Sequence, residues 1–176
     1  MQQVVHPIAP VFDAQSRVLI LGSFPSVKSR EAAFFYGHPQ NRFWKVVSAV
    51  LGCACPKTVE EKKRMLLAHR IALWDVIAAC SIEGSSDSSI RDVVPTDLGK
   101  ILRATQIEAV FCNGQTAWQL YQRYQASVTG LPAVKLPSTS PANAACGLEA
   151  LIGSWRQILP ALKPDGTVSC VVCDGT

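Results

Sequence analysis

No stretch of this sequence is apolar for long enough to cross a membrane. The opening residues, Met1-Gln-Gln-Val-Val-His6, lack the basic-then-apolar order of a secretion signal, which points to a cytoplasmic protein. Charge is sparse as well. Charged residues make up 17% of the chain against 48% hydrophobic, the balance of an ordinary globular protein rather than a disordered or fibrous one. Neither a G-x-G-x-x-G nor a G-x-x-x-x-G-K pattern occurs, so no phosphate-cradling glycine loop is expected. There is no internal repeat and no linker. The 176 residues suffice for one sizeable core and not for two ordinary domains. The expectation is one domain over residues 1–176, with residues 1–16, which contain Pro7 and Pro10, as an irregular lead-in.

Seven cysteines are present, an odd number without a secretion signal, and that argues against a disulfide framework. Cys170 and Cys173 have zinc-ligand spacing, but they lie in a Val-rich, strand-like run with no turn glycine between them and read as small buried hydrophobes. Cys53-Ala-Cys55 precedes Pro56 on what reads as a loop and carries little signal. The net charge of +4 permits binding to a polyanion without demanding it. Lys28, Arg30, Arg42 and Lys45 place part of that charge in one stretch, whereas Glu60-Glu-Lys-Lys-Arg64 is mixed in sign and reads as a solvated helix face.

Val18 to Leu21 has the length and residue type of a buried strand, broken at Gly22 and Pro25. A short helix is expected over about Lys28 to Phe35. A second starts near Asn41, with Trp44, Val47, Val50 and Leu51 on one face, and stops at Gly52. Thr58 with Glu61 forms a capping box for a third helix that fades near His69. Residues Ile71 to Cys80 fit strand or helix by period; a strand through Leu73 and Trp74 is favoured, opening into a serine-rich loop from Ser81 to Ser89. Thr96 or Asp97 caps a helix to Ala104, Ala109 to Cys112 is a strand turning at Asn113-Gly114, and Gln115 to Tyr124 is a helix. Val134 to Leu136, a helix over Leu148 to Leu162 and a strand over Val168 to Val172 complete the chain. This alternation predicts an α/β fold: a three-layer sandwich with a small, mainly parallel sheet flanked by helices.

In such a sheet the strand ends lie on one edge, so Ser23 onward, Asp75, Asn113 and the stretch from Ser138 to Asn143 can share a pocket. That pocket would hold aromatics (Phe24, Tyr36), amides (Asn41, Asn143) and one carboxylate (Asp75). Such a set suits a flat heterocycle, stacked on its face and hydrogen-bonded at its edge.

Gly22-Ser-Phe-Pro-Ser26, the Asn41-Arg-Phe-Trp44 segment that closes Gly37 to Trp44, Leu73-Trp-Asp-Val-Ile77 and Leu136-Pro-Ser-Thr-Ser-Pro-Ala142 follow one another in this order. Together they resemble the uracil-DNA glycosylase superfamily, most nearly its hypoxanthine-DNA glycosylase branch, and the likeness spans most of the chain. The first segment is similar to the G-x-D/N-P-Y/G turn of those enzymes, the second to a G-N-H-F-W stretch and the last to M-P-S-S-S-A. The sequence departs from the pattern at Phe24, where relatives keep the Asp or Asn that handles the attacking water, and at Leu136, where uracil enzymes place a leaving-group His.

The resemblance implies a monofunctional DNA glycosylase that flips a deaminated base out of DNA, in a duplex or a single strand, and hydrolyses its N-glycosidic bond in base excision repair. Hypoxanthine is the expected base, with uracil or mismatched thymine as further candidates. In that branch the catalytic part falls to the Asn of the N-R-F-W segment, here Asn41. An amide is no general base, so Asn41 is assigned to orienting water; its place before Arg42-Phe-Trp44 also fits a helix cap. Asp75 is assigned to the base edge, where it accepts a ring N–H, with general base as the rival role and a turn cap as the plain one. Phe24 or Tyr36 would stack on the base, and His38 would donate to it.

Ser138, Thr139 and Ser140 would grip flanking phosphates, while Pro141, Ala142 and Asn143 fill or probe the gap in the duplex. Ser26, Ser85 and Ser86, with Ser88 and Arg91, are further candidates for the DNA backbone. The cysteine placing does not resemble the iron–sulfur branches, and no cofactor or metal is implied. The expected partner is damaged DNA, with no membrane, bound by a monomer. A silent nucleic-acid-binding module and a nucleoside hydrolase are the competing readings.

Overall fold

The computed structural model describes residues 2–163. The last expected strand, with Cys170 and Cys173, lies outside the described residues. The Val18–Gly22 strand (β2) is buried along its whole length, as a strand covered on both faces must be. It pairs in parallel with Ile71–Asp75 (β3) on one side and Ala109–Asn113 (β6) on the other, and β6 pairs in parallel with Ala133–Leu136 (β7). The order β3-β2-β6-β7 reverses direction around β2, which is where open α/β sheets leave a crevice. The outer edge of β3 is blunted by a bridge from Val11, whose N–H and C=O both bond Leu73.

Three helices follow β2. Val27–Ala32 (α1) is capped by Ser26, whose hydroxyl accepts from the Ser29 N–H. It ends before the expected Phe35 because Ala33 turns into the left-handed region, which sends Phe34 and Phe35 into the core. Phe43–Leu51 (α2) buries Phe43, Trp44, Val46, Val47 and Val50 and stops at Gly52, which has φ +73°. Val59–Ala68 (α3) carries the expected capping box of Thr58 and Glu61. Beyond the sheet, Leu98–Ala104 (α4), Gln115–Tyr124 (α5), Ala126–Thr129 (α6), Leu148–Trp155 (α7) and Leu159–Leu162 (α8) complete the helices. The core divides between the two sheet faces, Phe43, Trp44, Leu66 and Trp155 on one and Leu98, Ile101, Ala117 and Tyr121 on the other.

A second sheet departs from the sequence reading. Gln2–Val5 (β1), Ile77–Ile82 (β4) and Arg91–Pro95 (β5) form an antiparallel sheet in the order β1-β4-β5. The lead-in is thus a strand in its first part, and Ser81 belongs to β4 rather than to the serine loop. Local pattern could not reveal this, because β1 finds its partner β4 more than seventy residues away and is itself mostly exposed. Strands β3 and β4 are separated only by Val76, whose N–H donates to the Gly22 carbonyl. Asp75 therefore sits where the two sheets meet, its backbone oxygen held by the Thr96 hydroxyl at 2.9 Å.

Candidate active site

A cavity of about 930 Å³ opens at the carboxyl ends of β2, β3, β6 and β7. Gly22 and Asp75 are register partners on adjacent strands. A Cβ on Gly22 would lie 2.4 Å from Asp75 Oδ1 and 2.9 Å from the Tyr36 hydroxyl, so both groups crowd against a bare Cα that only glycine provides.

Asp75 is 3% exposed, and its carboxylate has one hydrogen-bond donor among the described residues: His6 Nε2, 2.7 Å from Oδ2. His6 Nδ1 accepts from the Ile8 N–H at 3.1 Å. A backbone N–H can only donate, so Nδ1 is bare and Nε2 carries the proton. The ring is packed by Phe24, Phe35 and Trp74 at centroid distances of 5.8, 6.1 and 6.4 Å.

Tyr36 adopts a left-handed backbone with φ +54°. Its ring stacks on Phe43 at 4.0 Å, and Phe43 meets Trp155 edge to face at 5.7 Å, a rigid aromatic floor. The two tryptophans also fix backbone beside the cavity, since Trp44 Nε1 donates to the Phe35 carbonyl and Trp155 Nε1 to the Pro137 carbonyl. The Tyr36 hydroxyl is buried without a hydrogen-bond partner of good geometry. Burial first and the Asp75 charge second push its ionisation far up, and the nearby Asn113 amide offsets only part of this, so it remains a neutral phenol.

Asn41 is joined to a three-residue network. Its Oδ1 accepts from the Phe43 N–H and from the Thr139 hydroxyl, both at 2.9 Å. Thr139 Oγ1 accepts from Asn113 Nδ2 at 3.0 Å, and Asn113 Oδ1 accepts from the Thr139 N–H at 3.0 Å. The two backbone N–H groups settle every orientation in this chain. The Asn41 Nδ2 end is thereby left without a partner among the described residues, on a side chain that lines the cavity. The N-cap of α2 is Arg42 rather than the expected Asn41, which lies one residue earlier and accepts from the first helical N–H through its oxygen only.

Arg42 gathers the segment opposite. Its guanidinium donates to the carbonyls of Ser140, Asn143 and Cys146, and its N–H donates to Thr139 O. The cation is thus used inside the protein, beside the site but not facing out of it.

Of the residues expected at the site, Phe24, Tyr36, Asn41 and Asp75 do line one cavity, with Ser26, Ser85, Ser86, Ser138, Ser140, Ala142 and Asn143 around them. Three do not. His38 is held in its own loop, its Nδ1 accepting from the Gln40 N–H. Pro141 is not among the lining residues, and Thr139, expected on phosphates, is fully buried. The rim serines are partly committed: Ser85 Oγ accepts from the Val27 N–H at 2.8 Å, and Ser86 and Ser88 bond each other at 2.9 Å.

The cavity also contains a second carboxylate. Asp87, on a short 3-10 turn of the serine loop, accepts from the Ser23 hydroxyl at 3.1 and 3.2 Å. Open to water on one side and walled by protein on the other, it has its ionisation pushed up by desolvation. The Ser23 bond opposes that shift and Asp75 adds to it. An acid among serines was its only sequence signal. The five described cysteines are free thiols, and burial pushes that of Cys112 up to about 12, away from reactivity.

A cleft at a parallel-sheet edge, floored by aromatics and edged by amides and carboxylates, has the make-up of a site for a flat heterocycle. The sequence profile of the Uracil DNA glycosylase superfamily matches residues 9–159, and the chain belongs to that family. It is thereby a DNA glycosylase. A curated relative from Methanosarcina acetivorans, named Hypoxanthine DNA glycosylase, is 37% identical over 137 residues, covering 76% of this chain and 84% of its own. A relative of the same name from Methanosarcina barkeri is 36% identical over 84 residues, 47% of this chain and 53% of its own. Among solved structures, the solution NMR structure of a Methanosarcina acetivorans protein carrying the uracil DNA glycosylase designation superposes with a TM-score of 0.72 at 31% identity. It covers 86% of this chain and 96% of its own.

Proposed function

We propose that this glycosylase releases hypoxanthine from DNA in which adenine has been deaminated. The observation that carries the reading is that one cavity is lined by Asp75, by Tyr36 and Phe24, and by Asn41, whose Nδ2 has no partner among the described residues. The names of the Methanosarcina relatives support the choice of base.

In this mechanism the base is flipped out of the stack into the cavity, against Tyr36 or Phe24, and its ring N–H donates to Asp75 Oδ1. The N-glycosidic bond lengthens early, so the sugar takes oxocarbenium character and the water needs placement more than deprotonation. Asn41 Nδ2 donates to one lone pair of that water and leaves the other aimed at C1′. Hydrolysis then adds hydroxide to the sugar carbon, and the remaining proton goes to the departing base. Ser138, Ser140 and the backbone of the 138–143 segment lie against the flanking phosphates, with Ala142 and Asn143 at the vacated position. Uracil shares the ring N–H and is the second candidate substrate. This domain acts as a monomer in the cytoplasm, without a cofactor.

Asn41→Ala should abolish base release from an inosine-containing oligonucleotide while leaving DNA binding within a few-fold of wild type. Alkali-sensitive strand breaks and fluorescence anisotropy measure the two. Cleavage by this variant at the wild-type rate would remove Asn41 from the mechanism.

A further inference from the structure

The family match begins at residue 9, yet a side chain that holds the cavity's Asp75 comes from before it. His6 stands just after β1, and the pairing of β1 with β4 carries it to Asp75. Both side chains are nearly fully buried, at 4% and 5% exposure. With Nδ1 held by the Ile8 N–H, His6 reaches the carboxylate only as a donor, and it covers Oδ2. Oδ1, packed over Gly22, is the oxygen left to the cavity.

We propose that His6 is a positioning residue that holds Asp75 as a single-oxygen acceptor, and that this lets the enzyme take hypoxanthine and refuse adenine. The inference rests on the reading of function above. The two purines differ where the carboxylate meets them. Hypoxanthine carries a proton on N1, whereas adenine N1 is a bare lone pair. An acceptor at Oδ1 binds the first and repels the second, and a pocket that hydrogen-bonds one edge discriminates strongly against an edge that cannot answer it. Without His6, Asp75 would have no donor among the described residues, and nothing would hold Oδ2 away from the cavity. A carboxylate free to turn can meet the adenine amino group with one oxygen and keep the other clear of N1. An enzyme that scans ordinary DNA must exclude that pose, because adenine is the undamaged base that hypoxanthine replaces.

The test compares His6→Phe, which keeps a ring among Phe24, Phe35 and Trp74 but has no donor, with His6→Gln, which keeps an N–H at similar reach. Single-turnover release is measured on duplexes with hypoxanthine or adenine at one position, and thermal unfolding is followed alongside. For His6→Phe, hypoxanthine release should fall by about tenfold to a hundredfold, the scale of a hydrogen bond to a charged group, and the adenine-to-hypoxanthine ratio should rise. His6→Gln should recover most of both. A His6→Phe variant with wild-type rate and ratio would overturn the proposal, as would equal losses in both variants.

An arm without substrate follows the imidazole by nitrogen-15 NMR on the full chain, with His6→Phe identifying the signals. It should show a protonated Nε2 that shifts in Asp75→Asn, and a protonated Nδ1 would refute the pairing. If the wild-type protein releases no hypoxanthine at all, the reading of substrate fails and the selectivity with it. The imidazole spectrum then decides the pairing by itself.

Discussion

Thr139 has no exposed surface, and its hydroxyl joins Asn113 to Asn41. Thr139→Val keeps the shape and deletes that link, which leaves Asn41 Oδ1 with one donor and Asn113 Nδ2 without its acceptor. The loss should cost about 1–3 kcal/mol of stability and slow base release roughly tenfold or more, with DNA affinity unchanged. Denaturant unfolding and single-turnover rates check this. Weakened binding at an unchanged rate would instead restore the phosphate contact that the S-T-S-P segment suggests. At this scale the motifs marked Asn41 and Asp75 because each sits beside a recognisable turn or strand end. They gave Thr139 a place on phosphates and were silent on His6 and Asp87; the roles these three hold come from partners 98, 69 and 64 residues away. Separation of that size leaves no periodic trace.

Among the elements, α2 does more than bury an apolar face. Arg42, at its N-terminus, holds three carbonyls of the segment that follows β7. A lysine is a compact point charge and cannot span that fork. Arg42→Lys should therefore loosen residues 138–146, raising their amide exchange and lowering base release, at a stability cost of about 2 kcal/mol. Exchange as slow as wild type would show that the segment holds its own shape. Much of the parallel sheet and the helices around it was legible from local signals, as with the apolar run Val18 to Leu21 or the capping box of Thr58 with Glu61. β1 and β5 were not, being short, largely exposed strands whose residues lack a clean alternation. Arg42 was counted only as one of four basic residues in a stretch beside the site, because sequence shows a cation's sign and not its direction.

The molecule as a whole is two sheets joined at Val76, and the site draws on both: Gly22, Asn113 and Leu136 from the parallel one, His6 by way of the antiparallel one. A chain lacking residues 1–5 keeps the parallel sheet and His6 itself but loses the pairing that carries the histidine. Base release should drop about tenfold or more while circular dichroism stays close to wild type and DNA binding changes little. A full rate in that chain would show that the segment around Ile8 places His6 unaided.

The 69 positions that separate Asp75 from His6 also set a clock. At a synthesis rate of about 5–20 residues per second, the histidine waits roughly 3–14 s for its carboxylate to be made, and β1 waits longer still for all of β4. Closing so long a loop comes late in folding. A nascent chain can therefore complete much of its first parallel pairing before the cavity has its final donor, so excision begins only with a finished protein.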